Sequence, residues 1–353
     1  MIKLLHSADW HLDSPLMLRS PSQAEPLRRA LQLIPEQISA LCRQHGCQLL
    51  LLSGDIFDGP YAADTLQAVQ NALEEAAVPV FIAPGNHDYA DLQSPWLTEA
   101  WPKNVHIFTH PVMESIELPD LDCTVVGAGY TSMDCRGLLA DYIPRHDTRY
   151  SIGVLHGDPT QLTSPYCPVT ADQVRCSQLD YLALGHIHKG GSFRAGKTLC
   201  AWPGCPQGRG YDETGEKGVL LVTLEESAAA EFLPLNGPRF YDLEVAAEAG
   251  IGSVLPPAGS EDFYRITLTG AAEAPELDAL KSAFPHFPHL ELRDSTVPMR
   301  ELWCTAGDDT LEGIYFRQLQ AAMQTADETE KQRLQLAARI SRQLLDGQEV
   351  VLP

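Results

Sequence analysis

Leu49–Gly59 reads LLLLSGDIFDG, four leucines running straight into a Gly-Asp turn that carries two carboxylates, Asp55 and Asp58. Four apolar residues in a row, bounded by turn chemistry, suit a strand buried on both faces in the middle of a layered sheet. A lone Gly-Asp after such a strand is ordinarily a turn, because Gly accepts positive φ and Asp caps the next helix. Its neighbours must decide whether the carboxylates serve chemistry.

Outward from this run, the first two thirds of the 353-residue chain alternate short β-rich runs with helical stretches, the pattern of a layered α/β domain. Strands are expected at 2–6, 49–52, 78–83, 106–109, 124–128, 151–155 and 181–184, and helices at 27–45 and 63–76. The loop WPGCPQGRGYDETGEKG (202–218) and a strand at 218–224 follow, closing a first domain over residues 1–238. Residues 239–353 read as a smaller α+β unit with strands at 241–245, 263–268 and 289–293 and a helix at 276–284. Helices at 311–325 and 329–345 end the chain, with Gly347 as C-cap.

The composition is globular, 44% hydrophobic and 20% charged, which excludes a disordered or fibrous class. The N-terminus MIKLLHSADWHLD turns polar too early for a signal peptide, and no apolar run reaches membrane-spanning length. A cytoplasmic protein with no membrane association is expected. The nine cysteines include no Cys-x-x-Cys pair, so they read as reduced, mostly buried thiols, with the wider pairs Cys42/Cys47 and Cys200/Cys205 given no metal role. A net charge of −22 repels DNA at long range, an objection to any free-standing nucleic-acid binder.

Polar residues follow each apolar run in turn: Asp9 and His11 in ADWHLD, Asp55 and Asp58 in GDIFD, Asn86, His87 and Asp88 in GNHD, His156 in VLHGD, and His186 and His188 in GHIH. Ligands of open α/β sheets gather at the carboxyl ends of the strands, so these residues can converge. Residues two apart on extended chain share a side, which would pair Asp9 with His11 and His186 with His188. Carboxylates, imidazoles and one carboxamide without thiolate suit Mn²⁺, Fe²⁺ or Zn²⁺, and seven ligand candidates exceed the needs of one ion. Asp55 is the natural bridge between two ions, whose charge would offset a carboxylate placed after a buried strand.

These five motifs, in this order, resemble the calcineurin-like metallophosphoesterase superfamily. The strings HSADWHLDSPL, LLLSGDIFD, PGNHD, VLHG, YLALGHIH and PGCPQGR are similar to its SbcD-type DNA-repair exonuclease branch, over roughly residues 1 to 238. The resemblance implies an α/β fold: a layered β-sandwich phosphoesterase domain flanked by helices, with a smaller C-terminal α+β cap domain. It implies two divalent metal ions, Mn²⁺ first with Fe²⁺ or Zn²⁺ as alternatives. One would be held by Asp9, His11, Asp55 and His188, the other by Asp55, Asn86, His156 and His186. His87 would be no ligand but would assist the leaving oxygen while a metal-bridging hydroxide attacks the DNA phosphodiester. Asp88 would orient His87 by accepting its other ring proton, with local turn capping as the alternative. Asp58 stands where some members of the family carry His and would act behind the ligands.

The histidines outside these motifs, His6, His45, His106, His110, His146, His286 and His289, are expected to be structural or solvated. Arg175, Lys189, Arg194, Lys197 and Arg209 could form a basic rim for a phosphate backbone, with Arg209 the best single candidate for substrate binding and an ordinary solvated surface as the alternative. Trp10 suits core packing better than base stacking, for which Tyr211 is another candidate. Asp120 with Asp122 and Glu225 with Glu226 read as surface charge. The last helix carries a broad apolar face, Leu334, Leu336, Ala337, Ile340, Leu344 and Leu345 with Ser341, expected to pack on its own domain, with a partner helix as the alternative.

Three functions compete. The first is a DNA-repair nuclease, an exonuclease with single-strand endonuclease activity left open, working with an SMC-like coiled-coil ATPase of SbcC type that supplies the DNA surface; a homodimer is also left open. The second keeps the metals and acts on a small nucleotide or other small phosphodiester. The third is a DNA-end clamp without turnover, against which the retained His87 argues. A protein phosphatase is disfavoured because Gly59 and Pro60 follow Asp58 where that family usually has an Arg.

Overall fold

The computed structural model describes residues 1–16, 21–144, 147–270, 272, 274–296 and 302–347. His146 lies outside them. The chain begins with alternating strands and helices: β1 (Ile2–Ser7), α1 (Pro21–Gln44), β2 (Leu49–Leu52), α2 (Ala63–Glu75), β3 (Val80–Ile82), a single turn α3 (Pro95–Thr98) and β4 (Val105–Ile107). β5 (Glu114–Leu118), β6 (Cys123–Gly127), β7 (Tyr150–His156), α4 (Ala171–Ser177), β8 (Tyr181–Gly185), β9 (Lys189–Ala195) and β10 (Thr198–Gly204) follow, then β11 (Gly218–Leu224) and β12 (Ala228–Pro234).

These strands make two six-stranded sheets, ordered β12-β11-β1-β2-β3-β4 and β5-β6-β7-β8-β10-β9. β1 to β4 run parallel to one another, as do β6, β7 and β8, so their carboxyl ends point the same way within each sheet. The four leucines of β2 explain the layering. Leu49 and Leu51 enter the core between the sheets with Leu4, Phe81, Ile152 and Tyr181. Leu50 and Leu52 face the other way, into the core under α1 and α2 with Ile34, Ile38, Val69 and Leu73. Successive strand residues alternate faces, so a strand covered on both sides must be apolar throughout. A third core beyond the second sheet gathers Leu155, Leu182 and Leu184 with Val174 of α4. The result is the expected helix-flanked β-sandwich.

The chain divides into two compact units, Met1–Tyr241 with Glu261–Phe263, and Asp242–Ser260 with Tyr264–Pro353. The second contains most of a three-stranded sheet of β13 (Phe240–Ala246), β14 (Phe263–Thr269) and β15 (Leu290–Asp294), and the helices α5 (Leu277–Ser282), α6 (Leu311–Thr325) and α7 (Glu328–Leu345). α6 and α7 share a small core of Phe316 and Ala338, with Arg342 stacked 4.1 Å over the Phe316 ring and paired to Glu312. The buried face is narrower than the apolar pattern suggested, for Leu336, Leu344 and Leu345 stay exposed. No helix among the described residues is long and apolar enough to cross a membrane. All nine cysteines are free thiols, buried except for Cys176 and Cys304.

Candidate metal centre

The ends of β1, β2, β3, β7 and β8 deliver Asp9 and His11, Asp55, Asn86, His156, and His186 and His188. The chain does not stay extended there, as the reasoning from residue alternation assumed. Asp9, His11, Asp55 and His186 all have positive φ, at 55°, 47°, 52° and 91°. Such backbone costs of order 1–3 kcal/mol per residue and persists only where surroundings hold it, which makes functional sites its usual home. Here Asp9 N–H donates to Gly54 O (3.0 Å) and His11 N–H to Asp55 O (2.9 Å), locking the turn after β1 onto the turn after β2. Gly85 is required for the approach of the third loop, because a Cβ there would collide with Asp55 Oδ1.

Two groups of donors share Asp9: Asp9, His11 and His188, and Asp9, Asp55 and His156, with ligand atoms in each within 4.8 Å of one another. The ring tautomers are set from behind. His156 Nδ1–H donates to Ser53 O (2.8 Å) and His188 Nδ1–H to Glu213 Oε1 (2.6 Å), while His11 Nδ1 lies 3.4 Å from Asp58 Oδ1. In the neutral rings this leaves Nε2 as the unprotonated atom. His11 Nε2 and His188 Nε2 then face each other at 3.1 Å, and His156 Nε2 and His186 Nδ1 converge on Asn86 Oδ1 at 2.9 and 3.2 Å. Burial lowers the pKa of His11, and burial with the neighbouring His156 lowers that of His186 to about 4. Asp9 Oδ2 is buried with no hydrogen-bond partner among the described residues. Lone pairs turned toward one another, with an unpartnered carboxylate oxygen among them, fit divalent cations. The His and Asp residues are thus positioned for a dinuclear metal site.

His87 and its partners flank this cradle. His87 Nδ1 lies 2.6 Å from Asp58 Oδ1, and its side chain is 44% exposed. The hydrogen bond to Asp58 raises the His87 pKa, against partial burial. Burial opposes ionisation of Asp58, but hydrogen bonds from His11, His87 and Ser14 outweigh it and hold the carboxyl well below the ordinary range. The expectation that Asp88 receives the ring proton of His87 is not met. Asp88 instead accepts main-chain N–H groups of Gly85 (2.8 Å), Ile56 (2.7 Å), Asp55 and Phe57 (both 3.3 Å), so both its oxygens pin the turns after β2 and β3. Turn capping, the alternative, is its observed role. Burial and the Asp55 charge push its carboxyl up to about 7 against these hydrogen bonds.

Glu213 escaped the sequence reading. Besides His188 it takes the Arg209 guanidinium (Nη2 to Oε1, 2.7 Å) and the Arg209 main-chain N–H (2.7 Å). Burial opposes its charge, but His188 and Arg209 hold its carboxyl far below the ordinary value. Its one sequence signal was the Arg209-to-Glu213 spacing of four inside the loop after β10. Arg209 is 18% exposed at its side chain and also lies 3.6 Å from Asp58 Oδ2, so its charge faces acids of the protein more than solvent. Tyr166, packed 4.8 Å from the His186 ring, carried no sequence signal at all.

The basic rim does not form as a set. Arg175 pairs with Asp172 (3.0 Å), Lys197 with Asp180 (2.9 Å), and an Arg194 guanidinium nitrogen donates to Ala228 O. Trp10 is core, donating to Ser7 Oγ, and Tyr211 packs edge-on against Phe240. His6 is a buried structural histidine between Tyr181 Oη and Ser53 Oγ. Asp120, Asp122, Glu225 and Glu226 are exposed.

A model described as calcineurin-like phosphoesterase matches residues 2–190. The chain is 34% identical over 235 residues to the uncharacterized metallophosphoesterase YhaO of Bacillus subtilis, covering 63% of this chain and 57% of that protein. The alignment therefore spans little more than half the length of that relative. At 24% identity over 340 residues the chain is similar to the SbcD component of the nuclease SbcCD of the same organism, covering 82% of this chain and 85% of that one. It is also 24% identical over 286 residues to the DNA double-strand break repair protein Mre11 of Aeropyrum pernix, covering 75% and 68%.

Proposed function

The chain belongs to the calcineurin-like phosphoesterase family, and from that premise we propose that this phosphoester hydrolase is a nuclease that cleaves DNA phosphodiesters. The observation that carries the reading is an unbroken line of contacts, His188–Glu213–Arg209–Asp58–His87, joining a histidine of the proposed ligand set to an exposed one. Asp9, His11, Asp55 and His188 would hold one divalent ion, and Asp55, Asn86, His156 and His186 the other. Bound there, the ions supply Lewis-acid charge at the phosphoryl group and activation of the attacking water.

The rest of the reaction belongs to side chains. Asp58 takes Nδ1 of His87, leaving Nε2 as the nitrogen that can pass a proton to the departing oxygen. Arg209 ties Asp58 to Glu213, so the acid and the ligand His188 are oriented by one connected set of charges. DNA as substrate is supported by the similarity to the SbcD component and to Mre11, the one named as part of a nuclease and the other as a break-repair protein. A partner ATPase that brings its own DNA surface answers the net charge of −22, and the exposed leucines of α7 offer it a contact. The same charge favours the second reading, a small phosphodiester.

The test incubates the protein and its His87→Asn variant with end-labelled duplex and single-stranded DNA and with bis(p-nitrophenyl) phosphate, with Mn²⁺ or with EDTA. Mn²⁺-dependent shortening of DNA, reduced about 10²- to 10⁴-fold in the variant, is expected. Hydrolysis of the small diester with DNA untouched, even after the ATPase partner is added, would overturn the nuclease reading in favour of the second.

A further inference from the structure

A cavity of about 350 Å³ opens beside His87, between the loop after β2 and the loop that runs from Asp88 into α3. Its walls include Tyr61, Tyr89 and the exposed Gln93, with Gly59 and Pro60 at one edge. Gly59 has φ 79°, a left-handed turn that brings Tyr61 back onto the Phe57 ring, 5.0 Å away between centroids. Phe57 is fully buried, so Tyr61 is backed by core on one side while it remains half-buried. Tyr89 is likewise half-buried, packed against the core beyond the second sheet.

The chemistry of the walls is selective. Among the described residues no Lys or Arg lines the cavity; apart from His87 beside it, its exposed ionisable side chain is Asp91, whose Oδ1 already accepts the Gln93 main-chain N–H at 2.8 Å. Such a wall offers a phosphate no cationic side chain beyond His87 and suits a flat, uncharged group. Aromatic faces stack on a base, and the Gln93 amide can meet a base edge with both a donor and an acceptor. The volume lies at the small end of the ligand-pocket range, roughly 300–1,000 Å³, enough for a single base with its sugar.

We propose that this cavity is a nucleobase subsite, holding the base of the nucleotide whose hydroxyl departs at His87. The inference rests on the reading of His87 as the group that protonates the leaving oxygen. It adds that recognition on the leaving side is by stacking on Tyr61 and Tyr89 and not by phosphate contacts. A substrate whose leaving group carries a base would be preferred over one that leaves as a bare alcohol.

Thymidine and adenosine, which carry no phosphate and so need neither ions nor turnover, would be titrated into the full chain and followed by saturation-transfer NMR, with deoxyribose as control. Strong saturation of the base protons, no binding of deoxyribose, and roughly tenfold weaker binding to Tyr61→Ala are expected. Gln93→Ala, a change at an exposed side chain, should weaken binding less, and it decides the matter if Tyr61→Ala does not melt cooperatively. No transfer to base protons, or affinity unaltered in the folded variants, would overturn the subsite. Nucleoside binding without DNA cleavage, even with the ATPase partner added, would leave the subsite standing and reject only the nuclease reading.

Discussion

The two flanks of the candidate metal centre are held in different ways. Around His156 the main chain does the holding: the ring is fully buried, its Nδ1 donates to the Ser53 carbonyl, and Asp88 pins the adjoining turns through four N–H groups. Around His188 side chains do it: the ring is 29% exposed and leans on Glu213, which leans on Arg209, which reaches Asp58 and through it His87. The first flank rests on main-chain groups gathered by one carboxyl, Asp88. The second is a chain of charges, so single substitutions and pH can tune it.

The largest expected effect falls where the flanks meet. Asp55 Oδ2 lies 3.4 Å from His156 Nε2 and 3.7 Å from His11 Nε2, within reach of both. Asp55→Asn should weaken ion binding and hydrolysis of bis(p-nitrophenyl) phosphate by more than about a hundredfold, beyond the usual loss from outer-shell changes. Calorimetry that found both ions bound within tenfold of wild type would show that Asp55 does not bridge them.

Glu213→Gln comes next and separates the flanks. Gln can still accept from His188 Nδ1 but carries no charge for Arg209, so one ion should bind about 10- to 100-fold more weakly while the other is retained. Glu213→Asp should recover part of the loss. Equal weakening of both ions would show that the flanks are not independent.

This asymmetry tracks what could be read from the sequence. The main-chain flank was legible because its residues sit in short motifs at strand ends, and the strands themselves announce their burial: β2 carries leucines on both faces because both faces are covered. The side-chain flank was legible only at its first members. Glu213 lies in a loop with no period, and its role depends on the loop after β10 folding back to β8, which local spacing cannot show. The exchange of roles between Asp58 and Asp88 has the same origin. Asp88 neighbours His87 in sequence, yet the turn aims its carboxylate back at the main chain, and Asp58 arrives from another strand. β5, β9 and β12 were missed because edge strands need apolar residues on one face at most, as the exposed pattern of β9 shows. β10 was hidden by its ending WPG, which reads as a loop.

A smaller effect tests the tuned flank by pH. Asp58 raises the pKa of His87, and a proton donor works only below its own pKa, so hydrolysis should decline as pH rises through that raised value. Asp58→Asn removes the charge that raises it, and the alkaline limb should move to lower pH. An unmoved limb would mean that some group other than His87 supplies the proton.

The smallest effect tests the fixed flank in acid. His6 donates or accepts at both ring nitrogens, to Tyr181 Oη (2.7 Å) and to Ser53 Oγ (2.8 Å), and Ser53 in turn offers its carbonyl to His156. Burial lowers the His6 pKa to about 3, only partly offset by a main-chain contact with Leu184. The folded state therefore keeps His6 neutral, while the unfolded chain takes up a proton near pH 6.5. Its contribution to stability is whole above that pH and declines as pH falls toward the folded value, by about 2 kcal/mol at pH 5. In EDTA, the wild-type melting temperature should fall between pH 7 and pH 5 by a few degrees more than that of His6→Gln, which keeps a donor and an acceptor but cannot titrate. Equal slopes would mean that water reaches His6 in the folded protein, and the flank described as fixed by main chain would then be as open to protons as the one built from side chains.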